Sequence, residues 1–392
     1  MIPVEEAQAL VLALAGPVRA QTVALAEASG RVLARPATSN LTQPPFDAAA
    51  MDGYAVRSVD LGQTLEVIGT AAAGHPWSGD ARAGTAIRIF TGAPVPPGYD
   101  RVVMQENAHR DGDRLIIEST SDHTHIRRRG NDFSQGDVVG APRILRPADI
   151  GLLAAMNIDR LEVAARPRVF VMASGDELVP LGSAVADGQI VSSNDLAIAA
   201  MAREAGADVT ILPIARDTED SLHQRFEAAA GGDLLVTIGG ASVGDHDLVG
   251  KVAQSRGLER AFYKIAMRPG KPLMAGRVGN CAMIGLPGNP VSAIVCALLF
   301  MQPLIWRMQG MDRLPAPIPA RLAVDLPPEG PRLHYQRATL APGTDLVQVT
   351  PFADQDSARL SLMAEADALL VRPAHDPARR AGEIVQILTL PR

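Results

Sequence analysis

The sequence has two cysteines, few aromatics and no long basic run, and each shortage removes a class of function. Cys281 and Cys296 lie in apolar surroundings, without metal-ligand spacing. They read as small core residues of a protein kept in a reducing compartment. Aromatic residues make up 4% of the 392 positions, too few for base-stacking platforms. Lys and Arg number 37 against 43 Asp and Glu. The basic triplet Arg127-Arg128-Arg129 is short and flanked by acids, so nucleic acid is not an expected partner. No apolar run reaches the roughly 18 residues of a membrane span. The longest, Val291 to Met301, reads as a buried helix. The N-terminal stretch carries Glu5 and Glu6 and no basic segment, which suits an amphipathic helix better than a signal peptide. The expectation is a soluble, cytoplasmic protein with no membrane partner. There is no catalytic triad pattern, no G-x-S-x-G elbow, no P-loop and no G-x-G-x-x-G. His123 and His125, two apart in a loop, make a poor metal pair.

What is present is a chain 47% hydrophobic and long enough for three or four cores. The expected division is an extended linker domain over 1–45 and 146–166, a β-rich domain over 46–145, an α/β domain over 167–312 and a small β domain over 313–392. Between 46 and 145, short β-branched runs are broken by Gly and Pro. From about 167 the texture becomes β-α-β-α-β-α, with continuous apolar strands of the kind a doubly covered parallel sheet requires. The right-handed crossover rule makes a three-layer α/β sandwich the simplest outcome.

Ligands of open α/β sheets bind past the carboxyl ends of the strands. Three strands here run into polar, glycine-containing loops: Ser174-Gly175-Asp176-Glu177, Arg216-Asp217-Thr218, and Gly239-Gly240 through Ser242, Gly244, Asp245 and Asp247. Backbone N–H groups in such loops can cradle a phosphate. Carboxylates beside a phosphate need a bridging cation, and Mg²⁺ with one or two carboxylates plus phosphate oxygens is the usual arrangement. The plainer reading is that these glycines only make tight turns. Lys264, Arg268 and Lys271 surround Pro269-Gly270 and could grip an oxyanion, or could be a solvated basic turn. Pro287-Gly288-Asn289-Pro290 opens a helix whose N-terminus could take an anion, unless Asn289 is simply its cap. The loop Pro44 to Tyr54 raises a separate question. Asp47, three alanines, then Met51-Asp52-Gly53-Tyr54 look built to come close to something.

Seven segments in order, FDAAAMDGYAVRSVD, RIFTGAPVPPGYDRVVMQE, RRRGNDFSQGDVV, SGDEL, TIGGASVGDHD, AMRPGKP and LPGNPVSA, together resemble the molybdopterin molybdenumtransferase family, which includes MoeA and the gephyrin E domain. The resemblance covers nearly the whole chain. It implies a four-domain fold with a MoaB/MogA-like sandwich, an elongated linker domain and a small C-terminal β domain. It implies an enzyme that takes adenylylated molybdopterin and molybdate, inserts the metal at the dithiolene sulfurs and releases AMP with Mg²⁺ participating. It also implies a homodimer with a shared cleft, with the adenylyltransferase and recipient molybdoenzymes as further partners.

Carried over position by position, the resemblance gives Asp52, Asp132, Glu177, Asp217, Asp247 and Lys271 catalytic roles, with Asp52, Glu177 and Asp247 toward the cation. Substrate contacts fall to Thr91, Glu106, Ser174, Gly175, Asp176, Gly239, Gly240, Ser242, Arg268, Pro287, Pro290, Arg337 and Ser357, the last two as oxyanion grips. The chain departs from the family pattern at Ser192, where an acid or Asn is common, and at Arg268, where Lys is common. Other readings are a non-catalytic dimeric scaffold of the same fold and a molybdopterin adenylyltransferase.

Overall fold

The structure, a computed structural model, describes residues 1–239 and 248–390. The chain forms two compact units, Thr22–Val163 on one hand and Met1–Gln21 with Ala164–Arg392 on the other. Helix α1 (Val4–Leu12) opens the chain and buries Val4, Ala7 and Val11, the i, i+3, i+7 stripe of an amphipathic helix.

The Thr22–Val163 unit is β-rich. Its main sheet uses β1 (Gly53–Val56), β2 (Thr64–Ala71), β3 (Thr85–Ile89), β4 (Arg101–Met104), β5 (Ala108–Asp111) and β6 (Arg114–Ile117), in the order β4-β1-β3-β2-β6-β5. Alternate residues face two cores. Ala55, Ile87, Ile89 and Val102 point to one; Tyr54, Val56, Ala86 and Val103 point to the other. Helix α2 (Pro147–Ala155) starts on a proline, with Asp149 accepting from the backbone N–H of Arg146.

The other unit holds the α/β sandwich. Its sheet uses β7 (Arg168–Ala173), β8 (Asp208–Ile211), β9 (Leu234–Ile238), β10 (Leu258–Tyr263), β12 (Met274–Val278) and β13 (Cys281–Leu286). A two-residue strand, β11 (Met267–Arg268), falls between β10 and β12. The order is β8-β7-β9-β13-β12-β10, with the first four strands parallel and β12 running antiparallel to both of its neighbours, β13 and β10. All five residues of β9 are buried, as a strand covered on both faces demands. Helices α3 (Asn194–Glu204), α4 (Glu219–Ala228) and α5 (Leu248–Ser255) follow β7, β8 and β9 by turns. The Thr218 side chain caps α4 by accepting from Ser221 N–H. The hairpin of β10 and β12 is the part of the sheet that the β-α alternation of the sequence does not announce.

Helix α6 (Pro290–Met308) is long and apolar enough to cross a membrane, with mean hydropathy 1.7, and 83% of its apolar window is buried inside the fold. Counting the apolar run only to Met301 underestimates it, because the helix continues through Gln302 and Pro303 by way of a π-helical turn at Ala297–Met301. Cys281 and Cys296 are free and buried, and burial pushes the Cys281 thiol up to about 11.

The last segment is a small closed sheet of β14 (Ile318–Leu322), β15 (Leu333–Ala341), β16 (Gln348–Pro351), β17 (Ala368–Arg372) and β18 (Ile384–Thr389). β15 pairs with both β16 and β17 and so closes the ring β15-β16-β14-β18-β17. β11 adds to this barrel by pairing parallel with the start of β15, Met267 opposite Leu333 and Arg268 opposite His334. The turn that leaves the sandwich at β10 is thereby built into the barrel wall.

Candidate active site

In the β-rich unit, three neighbouring strands bring Asp52, Thr91 and Gln105 to one edge. Asp52 precedes β1, Thr91 follows β3 and Gln105 follows β4, and both partners run antiparallel to β1. The Asp52 Oδ1 accepts from Thr91 N–H and from Thr91 Oγ1, each at 2.7 Å. These bonds, the backbone one first, hold the Asp52 carboxyl below the usual carboxylate range, and Arg88 adds to the effect. Arg88 lies over the Tyr54 and Phe90 rings and donates to Gly53 O at 3.0 Å and to Gln105 Oε1 at 2.6 Å. Gln105 donates in turn to Glu106 Oε1 at 3.3 Å. The result is an ionised, exposed Asp52 held in one orientation, with Thr91 and Glu106 nearby.

The close approach that the Asp47–Tyr54 stretch suggests is partly to its own fold. A Cβ on Gly53 would stand 1.9 Å from the Val103 carbonyl oxygen, so only glycine admits the β1–β4 pairing at that point. Ala48 and Ala49 are buried and pair with Ile126 and Arg127. Asp47 is spent internally, on Arg129 N–H at 2.8 Å and on the Arg128 guanidinium. Asp132 is exposed, with its N–H on Gln43 O at 3.0 Å, and no bond joins it to the Asp52 group among the described residues.

In the sandwich, the loops after β7, β8, β9 and β13 leave the carboxyl ends of four parallel strands and therefore share one edge. Ser174 donates its N–H to Ile238 O and bridges to Ala215; its buried Oγ has no hydrogen-bond partner among the described residues. Gly175 lets the Glu177 carboxylate fold back, since a Cβ there would meet Glu177 Oε2 at 2.3 Å. Asp176 Oδ1 accepts from Asp217 N–H at 3.2 Å, and Arg216 donates to Asp176 O at 3.1 Å. The Asp217 carboxyl is pushed above its ordinary value, first by desolvation and then by the neighbouring Asp176 and Glu177 charges. Gly239 ends β9 with its N–H on Leu286 O. Gly240, Ser242 and Asp247, with Gly244 and Asp245, lie outside the described residues.

The cationic turn reaches the same edge. Met274 stands opposite Gly285 and Tyr263 opposite Met274, so the 264–273 segment emerges beside the end of β13. Arg268 and Lys271 are exposed there, and neither has an ion pair among the described residues. Lys264 sits over the Tyr263 ring.

Pro287 is buried, and Pro290 is the first residue of α6. Asn289 occupies the cap position without capping; its Nδ2 donates to Ser357 Oγ at 2.9 Å, while Ser357 O accepts from Val291 N–H at 3.1 Å. The helix N-terminus is thus partly occupied by the barrel, and Asn289 is a strut rather than a cap.

Arg337, expected as an oxyanion grip, lies buried on β15. It is 1% exposed, and its Nη1 and Nη2 donate to the carbonyls of Arg359, Asp354 and Asp356 at 2.9–3.1 Å. Those donors are committed to the loop that carries Ser357. Arg88 and Gln105 are ordering residues to which the sequence reading gives no role, whereas Arg216, named there only as part of a polar loop, anchors that loop through Asp176 O. Arg88 alternates with buried neighbours in Ala86-Ile87-Arg88-Ile89, an out-of-pattern charge that could have drawn notice.

Three family models match in order: the MoeA N-terminal region (domain I and II) over 2–157, the probable molybdopterin binding domain over 170–307, and the MoeA C-terminal region (domain IV) over 319–390. Among curated relatives, the molybdopterin molybdenumtransferase of Haemophilus influenzae is 35% identical, covering 99% of this chain and 98% of its own. Molybdopterin molybdenumtransferase 2 of Mycobacterium tuberculosis is 36% identical with 100% of both chains covered. Among solved structures, a molybdopterin biosynthesis MoeA protein from Pyrococcus horikoshii OT3 superimposes with a TM-score of 0.86 at 26% identity, covering 100% of both chains. On these matches, this chain belongs to the MoeA family of molybdopterin molybdenumtransferases.

Proposed function

We propose that this chain inserts molybdate into adenylylated molybdopterin, releasing AMP and forming molybdenum cofactor. The observation that carries the reading is the charge pattern on one sheet edge. The carboxylates of Asp176, Glu177 and Asp217, which have no ion pair among the described residues, stand on loops of the same edge as two cations, Arg268 and Lys271, likewise without an ion pair among the described residues. Folding requires neither set. A substrate that carries a phosphoanhydride at one end and receives an oxyanion at the other uses both.

The cations would hold the oxyanion. At about 4 Å and an effective dielectric near 20, each contributes roughly 4 kcal/mol before desolvation. The carboxylates suit Mg²⁺ by donor type, since hard oxygen ligands supplemented by phosphate oxygens are its ordinary shell. The raised Asp217 carboxyl marks a place that lacks positive charge. No group of three metal-capable side chains is assembled among the described residues, so substrate oxygens would have to complete the shell. Glu177 and Asp217 are the residues we assign to it, with Asp247 and Asp52 as the further candidates. When bound, the ion neutralises the leaving phosphate. Asp176, through Asp217 N–H, and Gly175, by making room for Glu177, fix the carboxylates. Insertion replaces two oxides of molybdate by the two dithiolene sulfurs, the oxides leaving as water with the protons they take up, while water adds across the phosphoanhydride to give AMP and the pterin phosphate; the protein contributes positioning and charge rather than a covalent nucleophile.

The homodimer with a shared cleft, the cytoplasmic location, and the adenylyltransferase and recipient molybdoenzymes as partners belong to the same proposal; sedimentation would read the oligomeric state. The scaffold and adenylyltransferase readings are not favoured. The chain matches transferase relatives from end to end, and an adenylyltransferase reading leaves the barrel unexplained. The test is a coupled assay with adenylylated molybdopterin, molybdate and Mg²⁺, following AMP and reconstitution of an apo-molybdoenzyme. Molybdate-dependent AMP release supports the reading. A folded protein that gives neither product refutes it.

A further inference from the structure

The wall behind the cationic turn contains a buried titratable cluster that the proposed mechanism leaves unused. His334, 3% exposed, lies directly across from Arg268 in the parallel pairing of β11 with β15. Two more barrel bonds fix that strand. Leu333 N–H donates to Ala266 O at 3.1 Å, and Arg332 Nη1 donates to Met267 O at 3.4 Å. The His334 Nδ1 is 3.0 Å from Glu329 Oε1, and Gln336 Nε2 donates to that same oxygen at 2.8 Å. Arg372 Nη1 stands 4.0 Å from it, buried and without a hydrogen bond among the described residues. The other Arg372 nitrogens are committed to Asp376 and to the carbonyls of Pro327 and Pro377. The charged groups around the imidazole are therefore Glu329, Arg268 and Arg372, with Arg332 on the adjoining strand end.

We infer that His334 is a positioning residue for the oxyanion held at Arg268, and that oxyanion binding is linked to protonation of this imidazole. The inference rests on the proposed role of Arg268 in gripping molybdate. Burial pulls the imidazole below its ordinary value, Glu329 opposes this, and the positive Arg268 and Arg372 deepen it. A dianion at Arg268 cancels the repulsion on that side, so the bound state takes up a proton more readily than the free state. Linkage makes the effect reciprocal: protonated His334 raises the positive potential at Arg268 and tightens the oxyanion. The ligand class is a tetrahedral dianion. The pH range lies on the acid side of ordinary histidine titration, because the unliganded imidazole is pulled below its ordinary value.

The test is calorimetric titration of the full chain with molybdate between about pH 7 and 5, the acid part of the range in which histidine titrates, in two buffers of different ionisation enthalpy. AMP release would be followed in parallel. The expected result is proton uptake on binding and a dissociation constant that falls at least about threefold toward the acid end. His334→Asn should abolish both the uptake and the slope. Glu329→Gln leaves the ring in place and should move the slope toward lower pH; it carries the test if the Asn variant does not fold. Wild-type protein that binds molybdate and releases AMP with no proton uptake, or an Asn variant that keeps the slope, overturns the inference alone. Protein that neither binds molybdate nor releases AMP overturns the proposed function along with it.

Discussion

Replacing Arg337 by Met keeps most of the side-chain volume and removes the guanidinium that holds the 354–359 loop. Its Nη atoms satisfy three carbonyls, those of Asp354, Asp356 and Arg359. Hydrogen bonds from a charged donor contribute about 1.5–3 kcal/mol each, and desolvation of the buried ion takes back several kcal/mol. Removing one partner of such a buried set costs about 3–5 kcal/mol when the acceptors stay buried. Here the loop can swing out and rehydrate them, so the lower end, about 3 kcal/mol, is expected. Part of the tether survives, because Gln355 still bonds the Arg337 backbone N–H and carbonyl. What is freed is the Ser357 segment, and with it the bonds to Asn289 and Val291. Hydrogen exchange reads this directly. About 3 kcal/mol of local stability corresponds to roughly hundredfold faster exchange of the Val291 amide. Amides of β9 in the sandwich should not change. A Val291 amide that exchanges within about threefold of wild type, from a folded variant, would refute the reasoning.

Further outcomes follow from the same geometry. Asp52→Ala should fold and melt as wild type, because the side chain is exposed and, among the described residues, bonded only to Thr91, yet lose AMP release; full turnover removes Asp52 from the site. Asp247→Ala, on the family resemblance alone, should also lose AMP release. Asp217, raised in the folded state, favours the fold below its unfolded value and loses that contribution as pH rises through the folded value. Mg²⁺ should therefore raise the melting temperature at neutral pH more than at acid pH, and Asp217→Asn should blunt the difference; an equal Mg²⁺ response in both proteins counts against the assignment. Gly175→Ala should displace the Glu177 carboxylate, the flexible partner in the 2.3 Å approach, so turnover should fall further than stability. A fall in stability with Mg²⁺ dependence unchanged would show that the glycine serves only the turn.

Much of this was legible in the sequence because it depends on local pattern. The apolar run of β9 and the glycine stop at Gly206 after α3 are statements about neighbours in the chain, and the structure repeats them. The polar loops after β7 and β8, and Gly239 at the end of β9, fall on one edge because parallel strands leave them no alternative. What was not legible depends on pairs far apart in sequence. Arg337 looks like any exposed cation until the carbonyls 17 to 22 residues later close around it. Asn289 reads as a cap, and only Ser357, 68 residues on, diverts its amide. Gly53 is explained by a carbonyl at Val103 that no local rule points to.

The two-residue pairing of β11 with the barrel has a practical consequence for engineering. Met267 and Arg268 take their backbone setting from Leu333 and His334, so the last fifth of the chain is a mould for the cationic turn rather than an appendage. Cutting the chain after α6 would leave the sandwich sheet complete while removing the surface against which that turn is shaped. Conversely, a library aimed at discriminating one tetrahedral oxyanion from another need not touch the gripping residues. Substitutions at the first residues of β15, screened in the intact protein, would alter the grip from behind.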